Sequence, residues 1–418
     1  MWSTYTTSKP VNLNKLETLP HRSHPVPFTF HLGHVHEKSF HLEERYEDIG
    51  SMLHRHAERL RSLAMHDLGR GFIDDLLSKQ LPLLEQLIVP CGDVNMPGLR
   101  KRTLNGRLRH LHVRGLRFPG PCGSLPSVRS LTCVVVDMAD MRRLFEIFPR
   151  IEEVHLLRVT KHSRLPERLP PSLRSLELHA TQHDLVNYSA LIRPWIGRHH
   201  LRHLGLQHCS TTLPALRFFV EECNEPWSMK VTEWTSGYTD VLLRSEDKLT
   251  VGLSIRTSYT VVDDLLNVDP TLVQNLTSLT IPASALEAVI VFLLPQFSSV
   301  THLEIILLDN SECMALERQQ PAPYLIRIPH LRTVAFICGT NAYIWGWASP
   351  ARQRCLLPLA TRLESIIIST PHYDELRDHD WTGFQRHADI VSVVDGTSRA
   401  KLKPLFQEAL SDVYQIDA

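Results

Sequence analysis

A six-residue phrase, apolar-x-x-apolar-x-apolar, returns along most of this chain and restricts its fold more than any other feature. Leu173-Arg174-Ser175-Leu176-Glu177-Leu178 is one clear copy. Earlier copies carry their apolar residues at Leu60/Leu63/Met65, Leu84/Leu87/Val89, Leu108/Leu111/Val113, Val128/Leu131/Cys133 and Ile151/Val154/Leu156. Later ones fall at Leu201/Leu204/Leu206, Leu276/Leu279/Ile281, Val300/Leu303/Ile305, Leu331/Val334/Phe336 and Leu363/Ile366/Ile368. Successive starts from Leu60 to Leu173 lie 24, 24, 20, 23 and 22 residues apart. A period in the twenties describes a chain that grows by stacking short units on one another.

The repeats are punctuated alike. Pro82, Pro126, Pro149, Pro171 and Pro329 each stand two residues before the first apolar position. Proline cannot continue a helix and biases its predecessor towards extended backbone. Within the phrase, alternate side chains leave opposite faces of a strand. Positions four and six are therefore expected in the core, and positions three, five and seven on the outward, concave side. Burying three large apolar side chains gains about 5–9 kcal/mol, whereas ordering some twenty residues costs about 30 kcal/mol. One repeat cannot stand alone, so neighbours must stack. The Leu-x-x-Leu-x-Leu pattern at this period is that of leucine-rich repeats. The expected fold is α/β: a solenoid with a curved parallel sheet and irregular helices and loops on its convex side.

Three segments follow from this. Residues 1–24 are polar and read as a flexible tail, residues 25–400 as the repeat domain, and residues 401–418 as an amphipathic helix capping the last repeat. Val26, Phe28, Phe30 and Leu32 alternate as a first strand, and Leu42, Tyr46, Ile49, Leu53 and Ala57 share one helical face. Short helices are expected at 72–81, 138–148, 185–196 and 286–294. The phrase lapses over 210–275, where Leu249, Val251, Leu253 and Ile255 alternate strictly. A strand pair or two irregular repeats are expected there, with a helix at 261–266.

Composition narrows the setting. Lys+Arg and Asp+Glu both number 45, but residues 1–220 hold 30 basic and 20 acidic side chains against 15 and 25 in the remainder. Eight cysteines are scattered without a Cys-x-x-Cys pair, which fits neither a disulfide framework nor a zinc signature. The start of the chain has no apolar run suited to a signal peptide, and Leu286–Leu294 is too short to span a bilayer. An intracellular protein, cytoplasmic or nuclear and monomeric, is expected.

The opening His24-Pro25-Val26-Pro27-Phe28-Thr29-Phe30-His31-Leu32, the strand Arg59-Leu60-Arg61-Ser62-Leu63 and the recurring Pro-x-Leu-x-x-Leu phrase resemble the repeat portion of mushroom-type fungal F-box-like proteins. In that family an N-terminal helical module binds a Skp-type adaptor of a cullin ubiquitin ligase, and the repeats present a substrate. The resemblance implies a substrate receptor. Residues 1–24 hold no Leu-Pro-x-Glu-Ile-like module, so the adaptor is implied only with an F-box encoded upstream.

Histidine supplies the candidate contact face. The chain has 24. His66, His110, His112, His155, His179 and His203 occupy positions three, five or seven, with Arg114 among them. A polar, pH-sensitive or anion-recognising protein-binding face is expected there. No histidine spacing fixes a metal ligand set, and no cofactor is expected. The competing class is nucleic-acid binding by the stretch 94–136, which has eight basic and no acidic residues. Against it, Phe118 is the stretch's only aromatic residue, and Arg109 and Arg129 share the second repeat position with Arg61, Arg174, Arg202 and Arg332. His372, Asp374, Glu375, Asp378, His379 and Asp380 form a dense polar cluster that reads as exposed loop or helix. No catalytic or phosphate-binding motif is present, so an interaction protein is expected, with an inactive paralogue as the remaining alternative.

Overall fold

Short parallel strands are what the repeated phrase builds. The computed structural model describes residues 4–7, 18, 24–32, 42–65, 75–77, 79–95, 106–117, 123–134, 141–159, 166, 168–180, 188, 192–195, 200–209, 213–223, 225–234, 238–245, 249–256, 273–288, 298–307, 313, 328–342, 353 and 362–397. It is an α/β protein with a mostly parallel sheet and few helices. The chain divides into two compact units: one runs to Val186 and takes in Gly197–Gly205, and the other holds Asn187–Ile196 and continues from Leu206.

In the first unit, β1 (Thr4–Thr7) lies parallel to β2 (Phe28–Leu32). Four residues of the expected tail are therefore a strand. Helix α1 (Leu42–Arg55) follows, with Ile49, Met52 and Leu53 buried. The parallel series continues through β3 (Leu60–Met65), β4 (Gln86–Asn95), β5 (His110–Arg117), β6 (Ser130–Val134), helix α2 (Met141–Ile147), β7 (Glu153–Val159) and β8 (Ser175–Ala180). β9 (His203–Cys209) comes next; its first residues, His203–Gly205, belong to this unit and the rest to the second, and its start is bonded to Arg174 ahead of β8.

The second unit opens differently. After helix α3 (Leu213–Glu222), the strands β10 (Trp227–Trp234), β11 (Tyr238–Ser245) and β12 (Thr250–Arg256) form an antiparallel meander. The strand-pair reading of 210–275 is thus the one realised. β10 also pairs with β13 (Leu276–Pro282) in parallel. Helix α4 (Ala283–Ala288) leads on to β14 (His302–Leu307), β15 (Thr333–Cys338), β16 (Leu363–Thr370), helix α5 (Tyr373–Leu376) and β17 (Ala388–Asp395). From β13 to β17 every neighbour is parallel.

The repeated prolines have a sharper role than stopping helices. Leu84, Val128, Ile151, Leu173 and Leu331 each donate their N–H to the carbonyl three residues earlier, at 3.0–3.3 Å. Each proline is then the second residue of a β-turn, where its fixed φ is already correct. The turn delivers the chain to the first apolar position. From there a backbone ladder locks the register. The carbonyl of position two accepts from the N–H of position two in the next repeat, as in Arg109 to Glu85, Arg129 to Arg109 and Glu152 to Arg129, each 2.8 Å. It also accepts from position three, as in Ser130 to Arg109 and Ser175 to Glu152, both 3.0 Å.

Positions one, four and six are core in nearly every copy; Leu173, Leu176 and Leu178 are wholly buried. Positions three and five carry the half-exposed polar face. Position seven mostly does not join it, against expectation: His179, Gln207, Ile306, Ile337 and Ser369 are buried, whereas Arg114 is exposed. Register irregularities fall at Val89/Asp93, Val113/Gly115 and Leu157/Val159. Extra residues at these bulges bend the strand and end its alternation. The expected helix over 138–148 corresponds to α2, and that over 286–294 is met only by α4, with the remainder outside the described residues. Residues 75–77 are helical and Arg193–Trp195 form a 3₁₀ turn within the other two expected helices. The helix expected at 261–266 and the capping helix at 401–418 lie outside the described residues.

Candidate functional site

One carboxylate gathers most of the described candidate histidines. His155 on β7 and Glu177 on β8 are register partners, and partners of that kind hold their Cβ atoms about 5 Å apart. His155 Nδ1 lies 2.9 Å from Glu177 Oε2. His179, two residues further along β8, places Nε2 3.2 Å from the same oxygen. His203, the first residue of β9, brings Nε2 within 3.4 Å of Oε1. Side-chain exposure is 23% for His155, 14% for Glu177, 1% for His179 and 32% for His203. The cluster is closed on the His179 side and open beside His155 and His203.

Burial alone would raise the Glu177 carboxyl, but the contacts from His155, His179 and His203 override it and hold the group well below the usual carboxylate range. Burial would likewise lower His155, yet the hydrogen bond and charge of Glu177, with the charge of Glu153, raise it. An ionised carboxylate only accepts, so each facing ring nitrogen carries its proton and donates to Glu177. A local irregularity frames the site. Arg158 interrupts the β7–β8 register opposite His179, with φ 60°, a left-handed backbone rare for a side chain of its size. Among the described residues, His155, Glu177 and His179 form a group of metal-ligand type, with one donor atom each and all three within 4.8 Å of one another.

The other expected site residues fall elsewhere. His110 is exposed, His112 half-exposed and Arg114 exposed, all on β5. His112, Thr132, His155 and Glu177 occupy one continuous row through the registers of β5 to β8, so the face is shared although the cluster is not. His66 lies outside the described residues. His179 is buried rather than outward, and still reaches Glu177. Glu177 itself was not among the expected residues. Its signal was its fifth position, level with His155 one repeat earlier.

The basic stretch is partly committed to structure. Arg129 donates to the Arg150 carbonyl at 3.0 Å and pairs with Glu152 at 3.1 Å. Arg61 and Glu85 form the same tie three repeat steps earlier at 2.9 Å, and Arg332 with Glu364 forms it in the second unit at 3.6 Å. Position-two arginine is thus a tie between repeats. A cleft of about 550 Å³ beside Arg109, Arg129 and Arg150 also contains Glu152, which answers part of its positive charge. The polar cluster 372–380 is a turn and short helix. Arg377 faces Asp378 at 3.4 Å, His372 Nε2 meets the Thr340 carbonyl at 3.1 Å, and Asp380 accepts from the Thr382 N–H at 3.0 Å. No helix among the described residues is long and apolar enough to cross a membrane.

No protein-family model matches this chain, and the search of curated proteins finds no matching relative.

Proposed function

We propose that this chain is a non-enzymatic protein-binding receptor, a leucine-rich-repeat solenoid that grips its partner with positions three and five of the parallel strands. The observation that carries this reading is the division of labour within the phrase. Positions one, four and six fill the core, while His110, His112, His155, Glu177 and His203 form a polar, partly exposed surface. Such a face can vary its chemistry without loss of the fold. Within this reading, the resemblance to F-box-like repeat proteins supports a substrate receptor of a ubiquitin ligase. The partner is then a protein, recognised by hydrogen-bonding and charged side chains.

Affinity purification of the tagged full chain followed by mass spectrometry tests it. Recovery of a Skp-type adaptor together with a second protein, the latter lost from a His110→Ala/His112→Ala variant, is the expected result. Salt-sensitive retention on heparin that disappears when Arg100, Lys101 and Arg102 become Ala, with no protein recovered, would replace the reading with nucleic-acid binding.

A further inference from the structure

The geometry points to a binding site for a divalent zinc-class cation at His155, Glu177 and His179, with His203 positioning the carboxylate. This goes beyond the receptor reading and stands or falls without it. The three donor atoms come from two neighbouring strands. His155 Nδ1 and His179 Nε2 flank one oxygen, Glu177 Oε2, at 2.9 and 3.2 Å. In a tetrahedral site with metal–ligand bonds of about 2.0–2.1 Å, ligand atoms stand about 3.3 Å apart. These two edges thus already match a coordination sphere to within a few tenths of an ångström. The third edge, within 4.8 Å, closes by rotation of the half-exposed His155 ring.

The donor set selects the ion class. Two imidazoles and a single carboxylate suit zinc, cobalt, nickel or copper, whereas calcium and magnesium take oxygen ligands in greater number. Buried His179 gives one rigid ligand, and the second carboxylate oxygen is held by His203 Nε2 at 3.4 Å, an orienting contact of the kind that surrounds metal sites. On binding, the proton at each coordinating ring nitrogen moves to the other ring nitrogen or to solvent. Three protein ligands leave a fourth coordination position, which water fills on the open side beside His155 and His203.

The test uses the full chain stripped with a chelator and then titrated with Zn²⁺ or Co²⁺ alone. The expected result is one equivalent of Zn²⁺ bound in competition with a chromophoric chelator, and a Co²⁺ complex with the intense visible bands of four-coordination. His155→Ala and Glu177→Gln, each checked for native circular dichroism, are expected to weaken binding at least about 100-fold, and His203→Ala by about 10-fold. His302→Gln, at a separate His–Glu contact, leaves it unchanged. Absence of one-equivalent binding would overturn the site. So would Zn²⁺ affinity untouched by His155→Ala, a variant at a partly exposed position that keeps the test open even where Glu177→Gln fails to fold.

Discussion

At the scale of single residues, burial sets the chemistry of Cys133. Its thiol is fully enclosed at position six of its repeat, and desolvation pushes it up to about 12 from the usual 9.0. Between those values the unfolded chain gives up this proton and the folded chain keeps it. The folded state therefore loses stability as pH rises past about 9, by at most about 1.4 kcal/mol per pH unit from this group. Urea unfolding at pH 8 and pH 10 should show a larger drop in the native chain than in Cys133→Val, and a thiol reagent at pH 8 should modify Cys133 only after unfolding. Equal drops in the two proteins would contradict the assignment. Leu176 is likewise fully buried. Leu176→Ala should cost about 2–5 kcal/mol, read from the denaturation midpoint, because the strands on either side cannot collapse into the space.

At the scale of elements, the turn and the ladder divide the work of holding register. Pro149→Ala should lower stability by about 0.4–1 kcal/mol, since the turn at 149–150 survives while the unfolded chain gains freedom. The paired arginines matter less. Arg61 and Glu85 are both substantially exposed, so a double-mutant cycle should return a coupling below about 1 kcal/mol. Gly396 follows β17 with its N–H on the Thr370 carbonyl at 2.8 Å, and a Cβ there would sit 2.7 Å from the Thr370 nitrogen. Gly396→Ala should displace the end of β17 and speed amide exchange along it. The strands were legible in the sequence because period and alternation state them directly. Position seven was not, because its burial is set by how each strand end packs on its neighbours and leaves no mark in a single phrase; Ile306, Ile337 and Ser369 are buried with no break in register. The antiparallel meander was half legible: strict alternation announced strands over 249–255, but pairing direction depends on residues far away in the chain.

At the scale of the whole molecule, folding and, on the proposed receptor reading, recognition fall to different positions of one phrase. Glu177 shows why such a face is only partly readable in advance. Histidines caught the eye by number, whereas the residue that organises them is a single acid in the matching place one strand away. The most direct test of the receptor claim is a photocrosslinking amino acid placed singly at positions 112 and 203, with Asp389 as a position outside the face. The account predicts that labels at 112 and 203 trap one and the same protein, and that the label at 389 traps none. Crosslinks to nucleic acid, or to protein only from position 389, would contradict it.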